Sequence, residues 1–202
     1  MEKNEKFLST KNIVYLAILT TLLVVLNLLS TVFKIITNVN LTLIPIVLGA
    51  LMLGVRGGLI LGLISGIMTF MFGAFGVDAF TNFLFSQHPI LTFLTCTVKI
   101  TVAGVLGGLV YNILKQKNRY VATFLASATV PVVNTGIFVL GALTMYDSIS
   151  TLANGEGVGV MYFLVIICAG VNFLIELGIN LLVAPAIHAT VNVLEKNAFK
   201  GR

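Results

Sequence analysis

The sequence predicts an all-α membrane protein of six transmembrane helices with both termini in the cytoplasm, and three observations carry that prediction. Of its 202 residues, 58% are hydrophobic and 9% are charged, against about a quarter charged in soluble domains. The mean hydropathy is +1.07. The long apolar runs carry Ser, Thr, Asn and Gly without the strict alternation of an outer-membrane barrel. A transmembrane helix needs roughly 20 apolar residues, so the chain has room for about six. They form one domain over 1–202 with short polar ends, leaving no length for a separate soluble catalytic domain.

Taken in order, the first span is Ile13 to Phe33. It follows the polar, lysine-bearing stretch Met1 to Asn12 and lacks an Ala-x-Ala cleavage site, so it reads as a retained helix and not a signal peptide. The second and third spans, Leu41 to Leu53 and Gly58 to Phe72, are short and separated only by Gly54-Val55-Arg56-Gly57-Gly58. They read as two short helices on a tight Gly turn or as one broken hairpin. The fourth, fifth and sixth are Ile90 to Leu114, Tyr120 to Met145 and Val160 to Ile187. Pro45 and Pro185 fit helix ends or kinks, and Pro131, inside the fifth span, predicts a kink. Gly73 to Pro89 and Tyr146 to Gly159 read as long outer loops, the kind of segment that forms lids.

Orientation follows from the basic residues. With the N-terminus inside, Lys3, Lys6, Lys11, Arg56, Lys115, Lys117, Arg119, Lys196, Lys200 and Arg202 are cytoplasmic, ten of the twelve Lys and Arg. Lys34 falls outside and Lys99 within a span, while Asp78, Asp147 and Glu156 land outside. This is a multi-pass protein of the cell membrane. The net charge of +5 has no basic stripe interleaved with aromatics, so it does not point to nucleic acid. Cys96 and Cys168 lie in apolar runs and read as small core residues.

Ionisable residues at membrane depth are costly, face the bundle interior and seek partners. Lys99 lies about 14 Å and Glu176 about 24 Å along their helices from the outer ends at 1.5 Å per residue. A lysine stem spans that difference, so the two either pair or contact a solute. Asn172, Glu176 and Asn180 recur every fourth residue and form a polar stripe. Thr92, Thr95 and Lys99 share one face of the fourth span, and Asn134 and Thr135 follow Pro131 in the fifth. Lys99, Thr95, Asn134, Thr135, Asn172 and Glu176 are therefore the candidate binding residues for a small polar or anionic solute. The alternative is interhelical hydrogen bonding alone. Gly49, Gly62, Gly66, Gly104, Gly107, Gly108, Gly136 and Gly141 read as helix-packing residues.

Other chemistries find little purchase. His88 reads as a loop residue and His188 as interfacial, and no His, Cys and carboxylate cluster has metal-ligand spacing. No cofactor is called for. No G-x-x-x-x-G-K-[ST] loop exists, so energy for active transport comes from a partner or an ion gradient. A stand-alone carrier in which Lys99 and Glu176 exchange protons is one alternative. An intramembrane protease built on Ser65 and His188 is another, but Gly62-Leu63-Ile64-Ser65-Gly66 has the wrong spacing for a nucleophile motif. No clear internal repeat of the kind found in many secondary transporters is present.

The six short spans, the Asn172, Glu176 and Asn180 stripe, the segment Pro131-Val132-Val133-Asn134-Thr135-Gly136-Ile137-Phe138, and Lys99 followed by a Gly-rich helix end together resemble the substrate-binding S component of energy-coupling factor vitamin transporters. The Pro-x-x-Asn-Thr-Gly-x-Phe segment is most similar to pantothenate-type members, with folate-type and cobalamin-type members close behind. The resemblance implies a membrane subunit, not an enzyme, that captures a vitamin from outside. It further implies partners: a membrane scaffold and two ATPase subunits. Members of the family carry an Ala-x-x-x-Ala motif on the first helix that contacts the scaffold. The nearest match here is Ala17 and Thr21, which departs from the pattern while keeping a small face. The chain has no Trp, which speaks against a thiamine-type aromatic cage.

Overall fold

The computed structural model describes residues 9–33 and 40–200, with side chains described for 9–30 and 40–193. Lys3, Lys6, Lys34 and Arg202, used above for orientation, lie outside the described residues, as do the side chains of Lys196 and Lys200. The elements are all helical: α1 Thr10–Phe33, α2 Leu43–Met52, α3 Gly54–Ala74, α4 Ala79–Gln87, α5 Pro89–Leu114, α6 Arg119–Leu143, α7 Tyr146–Gly155 and α8 Val160–Tyr162. A π-helical stretch Phe163–Gly170 then leads into α9, Val171–Lys200. Among the described residues, five helices are long and apolar enough to cross a membrane: α1, α3, α5, α6 and the run Val160–Val193.

The expected second span, Leu41 to Leu53, is present as a short helix of 10 residues, about 15 Å long, half of the ~30 Å hydrocarbon core. Its N-terminus lies at mid-depth, beside the middle of α3, where Thr42 Oγ1 meets Ser65 Oγ at 3.0 Å. Backbone donors there are met by side chains: Leu41 N–H donates to Ser30 Oγ at 3.2 Å and Thr42 N–H to Asn40 Oδ1 at 3.1 Å. Such pairing is what allows a helix to begin inside a bilayer. Pro45 falls in the first turn, where its missing N–H costs nothing. Gly54, with φ +69°, turns the chain directly from α2 into α3.

Two further expectations change. The supposed long loops contain α4 and α7. Helix α4 starts because Asp78 Oδ1 accepts the Thr81 N–H at 2.8 Å, and α7 forms because Ile149 and Ala153 bury one face of it. Pro131 and Pro185 lie inside helices that continue past them, with α9 running on to Lys200.

Packing is tightest between α3 and α5. A Cβ on Gly58 would strike the Gly104 carbonyl oxygen and one on Gly104 the Gly58 carbonyl, while Gly62 and Gly66 sit against the backbone of Ile100–Thr101 and Cys96–Thr97. Gly136 meets nothing within 4 Å, so it is not a packing glycine. Two cores result. One fills the half of the bundle holding Arg56 and Lys115, with Leu23, Ile46, Leu61, Ile100, Val130 and Ile187. The other, with Leu84, Met145, Ile149 and Leu164, lies under α4 and α7 at the opposite end. The space between the two cores is polar.

Candidate functional site

That space is a cavity of about 240 Å³. Helices α1, α3, α4, α5, α6, the π-stretch and α9 all contribute side chains to it. Five of the six residues expected from the sequence line it: Lys99, Asn134, Thr135, Asn172 and Glu176. Each arrives from a helix that also packs residues into the cores, and the lining sets these polar groups among Phe72, Phe80, Phe138 and Phe173.

Glu176 is 6% exposed. Its Oε1 accepts the backbone N–H of Asn40 at 3.0 Å. Asn40 Oδ1 in turn accepts the Thr42 hydroxyl, which leaves the Ser65 hydroxyl to donate to Thr42 Oγ1. A continuous relay thus joins the carboxylate of α9 to the middle of α3. Lys99 is half-buried, its Nζ standing 5.1 Å from the centroid of the Phe138 ring. Among the described residues no ion pair within 4.0 Å joins Lys99 to Glu176. Phe80 of α4 lies 6.0 Å from Phe138, centroid to centroid, closing this end of the cavity.

The other expected residues divide. Asn134 is 5% exposed, and its side-chain oxygen has no partner. Asn172 Nδ2 donates to the Cys168 carbonyl at 3.0 Å, fixing its amide against the π-stretch. Asn180, the third member of the stripe, lies outside the cavity and donates to the Glu176 carbonyl at 2.9 Å. Thr95 is not among the residues lining the cavity: its side chain packs against Gly141 of α6 and borders an adjoining void of about 20 Å³ that shares Lys99, Phe80 and Phe138 with the cavity. Thr92 is buried with its hydroxyl on the His88 carbonyl. Of that helix face only Lys99 reaches the cavity, because the close packing of α5 on α6 takes the rest.

Several lining residues were not anticipated. Asn27 and Ser30 of α1 face inward one turn apart, and Asn40 closes the floor. Asp78, Phe80 and Thr81 come from α4, whose Asp-x-x-Thr start is a capping signal legible in the sequence. Thr69, Phe72 and Phe173 carried no such signal. Ser65 and His188, weighed above as a catalytic pair, are apart: Ser65 bonds Thr42, whereas His188 bonds Thr123 and Asn192. Ala17 and Thr21 are both exposed on α1, and Thr21 spends its hydroxyl on the Ala17 carbonyl at 3.0 Å, leaving an apolar surface.

A family model for the ECF transporter substrate-specific component matches residues 11–188, a span containing every element that lines the cavity. The chain belongs to this family. S components are transport subunits, not catalytic ones, and work with a membrane scaffold and ATPase subunits. This S component is accordingly a multi-pass membrane protein. No curated protein and no solved structure matches it.

Proposed function

We propose that this S component captures pantothenate, a compact carboxylate-bearing vitamin, in the cavity between its two cores and delivers it to an ATP-driven energy-coupling module. The observation that carries this reading is the convergence of Lys99, Asn134, Thr135, Asn172 and Glu176 on one cavity. Among the described lining residues the cation Lys99 stands with the carboxylates Asp78 and Glu176 and several amides and hydroxyls, a mixture that suits a small acid bearing hydrogen-bond donors. Size separates the vitamins named above. At about 240 Å³ the cavity lies just below the ~300–1,000 Å³ of ordinary small-molecule pockets, which favours pantothenate over the larger folate and the far larger cobalamin.

In this reading both termini are cytoplasmic, the whole chain acts as one transmembrane unit, and α4 and α7 cap the outer mouth. The exposed face of α1 around Ala17 and Thr21 docks on the scaffold. Calorimetry on the purified full chain without nucleotide tests capture: saturable pantothenate binding is expected, and absence of binding to pantothenate, folate and cobalamin alike refutes it. Uptake into vesicles is expected only when the scaffold and ATPase subunits are co-expressed. A second reading, proton-coupled carriage through Lys99 and Glu176, draws on the absence of a direct pair between them. It requires uptake by this chain alone, abolished by an uncoupler.

A further inference from the structure

Lys99 and Glu176, two of the three charged residues that line the cavity, are held by different devices. Lys99 is seated over Phe138 at 5.1 Å, and Phe80 backs that ring at 6.0 Å. Glu176 is anchored through Oε1 to the Asn40 N–H at 3.0 Å, and the Asn40, Thr42 and Ser65 relay fixes that anchor from behind. Counting from the helix starts at Pro89 and Val160, Lys99 lies about 15 Å deep and Glu176 roughly 20–24 Å deep at 1.5 Å per residue. Each charge therefore rests on a neutral partner, and among the described residues neither has an ion pair within 4.0 Å. Leaving a buried charge without a counterpart is costly, and a solute spanning the cavity supplies what each end lacks.

Two further groups offer acceptors along the wall outward of Glu176. Asn134, level with Lys99 and 5% exposed, has a side-chain oxygen with no hydrogen-bond partner. Thr69, also lining the cavity, has already given its proton to the Ser65 carbonyl at 2.9 Å, so its oxygen only accepts. The remaining carboxylate, Asp78, is held on the N-terminus of α4 by the Thr81 N–H at 2.8 Å. It belongs to the rim and is already engaged by a helix end.

We infer that the cavity reads its solute at two places: an anionic head on Lys99 beside Phe138, and a tail of hydroxyl or N–H donors on Glu176 at the Asn40 end. Glu176 is then a specificity-determining residue that selects for donors, and Phe138 positions Lys99 so that it cannot collapse onto Glu176. The substrate class is a compact acid whose donors lie at the end remote from its anionic group. This rests on the reading of the cavity as the capture site and adds an orientation to it. Pantothenate enters with its carboxylate toward Phe138 and its two hydroxyls inward.

The test is calorimetry on the purified full chain with three probes: pantothenate, the analogue whose carboxylate is replaced by a primary alcohol, and the analogue with both hydroxyls methylated. On the wild type each change is expected to weaken binding at least tenfold. In Lys99→Met, pantothenate and its alcohol should bind within threefold of each other while methylation still costs affinity. In Glu176→Gln the alcohol should still be disfavoured while the methylation penalty shrinks. Wild-type binding of the methylated analogue as tight as that of pantothenate overturns the inference, and that measurement needs no variant to fold. If pantothenate itself does not bind, a thermal-shift panel of compact acids with and without remote donors separates the two claims. Hits confined to acids with remote donors remove the vitamin and keep the two-ended cavity, whereas hits lacking donors, or no hits, overturn both.

Discussion

Lys99 rests its ammonium over the ring of Phe138, 5.1 Å from the centroid, and not on the carboxylate of Glu176. A cation over a ring face is attracted by about 0.5–2 kcal/mol, the upper value when desolvated. Phe138→Leu removes that seat while leaving an apolar wall. It should weaken pantothenate binding by about 1 kcal/mol, roughly fivefold. Combined with Lys99→Met the losses should not add, since the two residues act through one contact. Titration calorimetry on the four proteins of the cycle measures this directly.

The unpaired state of Lys99 makes a second prediction. Breaking a buried ion pair costs about 3–5 kcal/mol of stability, but no such pair within 4.0 Å joins these two residues. Lys99→Met should therefore leave the melting temperature in detergent nearly unchanged while lowering pantothenate affinity by about 2–5 kcal/mol. Lys99→Met with Glu176→Gln should not restore that affinity. A large drop in melting temperature that the double change repairs would reassign Lys99 to a structural pair.

Glycine substitutions divide by what a methyl group would meet. At Gly58 or Gly104 it strikes the backbone carbonyl of the other, and overpacking of this kind costs about 1–3 kcal/mol. At Gly136 it meets open space. Gly104→Ala should lower the melting temperature clearly and Gly136→Ala should not.

Helix α4 depends on its cap. Asp78→Ala removes the acceptor for the Thr81 N–H at a cost of about 1 kcal/mol, whereas Asp78→Asn retains an acceptor there. Since Phe80 and Thr81 are part of the cavity wall, the alanine variant should release pantothenate severalfold faster. The asparagine variant should stay close to wild type. Stopped-flow dissociation distinguishes them.

Docking and capture should separate on α1. Ala17 and Thr21 are exposed and remote from the cavity, so Ala17→Phe with Thr21→Phe should leave pantothenate affinity within twofold. The same pair of changes should abolish vesicle uptake with the complete module. Equal loss of both would remove α1 as the docking surface.

Much of this architecture was legible in the sequence because bilayer insertion demands long apolar runs and makes polar exceptions conspicuous. Lys99, Asn134, Asn172 and Glu176 stood out for that reason, and all four meet in the cavity. The short reach of Leu41 to Leu53 was not legible because its composition is apolar whether it crosses a membrane or half of one. What shortens α2 is Asn40 reaching Glu176 from a distant part of the chain, a contact that no local pattern encodes. The packing of Thr95 was illegible for a related reason: a polar face on a helix does not reveal which neighbour covers it, and here the neighbour is Gly141. The aromatic lining was hidden because Phe72, Phe80 and Phe173 look the same in sequence as the exposed Phe75.

The π-helical stretch Phe163–Gly170 sets a rule for how chains of this design tolerate changes of length. Its i→i+5 turns hold more residues than α-turns, so the loss of one residue there lets the backbone tighten toward α-geometry and absorbs much of the change. A loss between Asn172 and Glu176 has no such slack, and swings one polar group about 100° around the helix axis relative to the other. Insertions and deletions among relatives that share this cavity should accordingly gather in residues 163–170 and spare the four-residue step from Asn172 to Glu176.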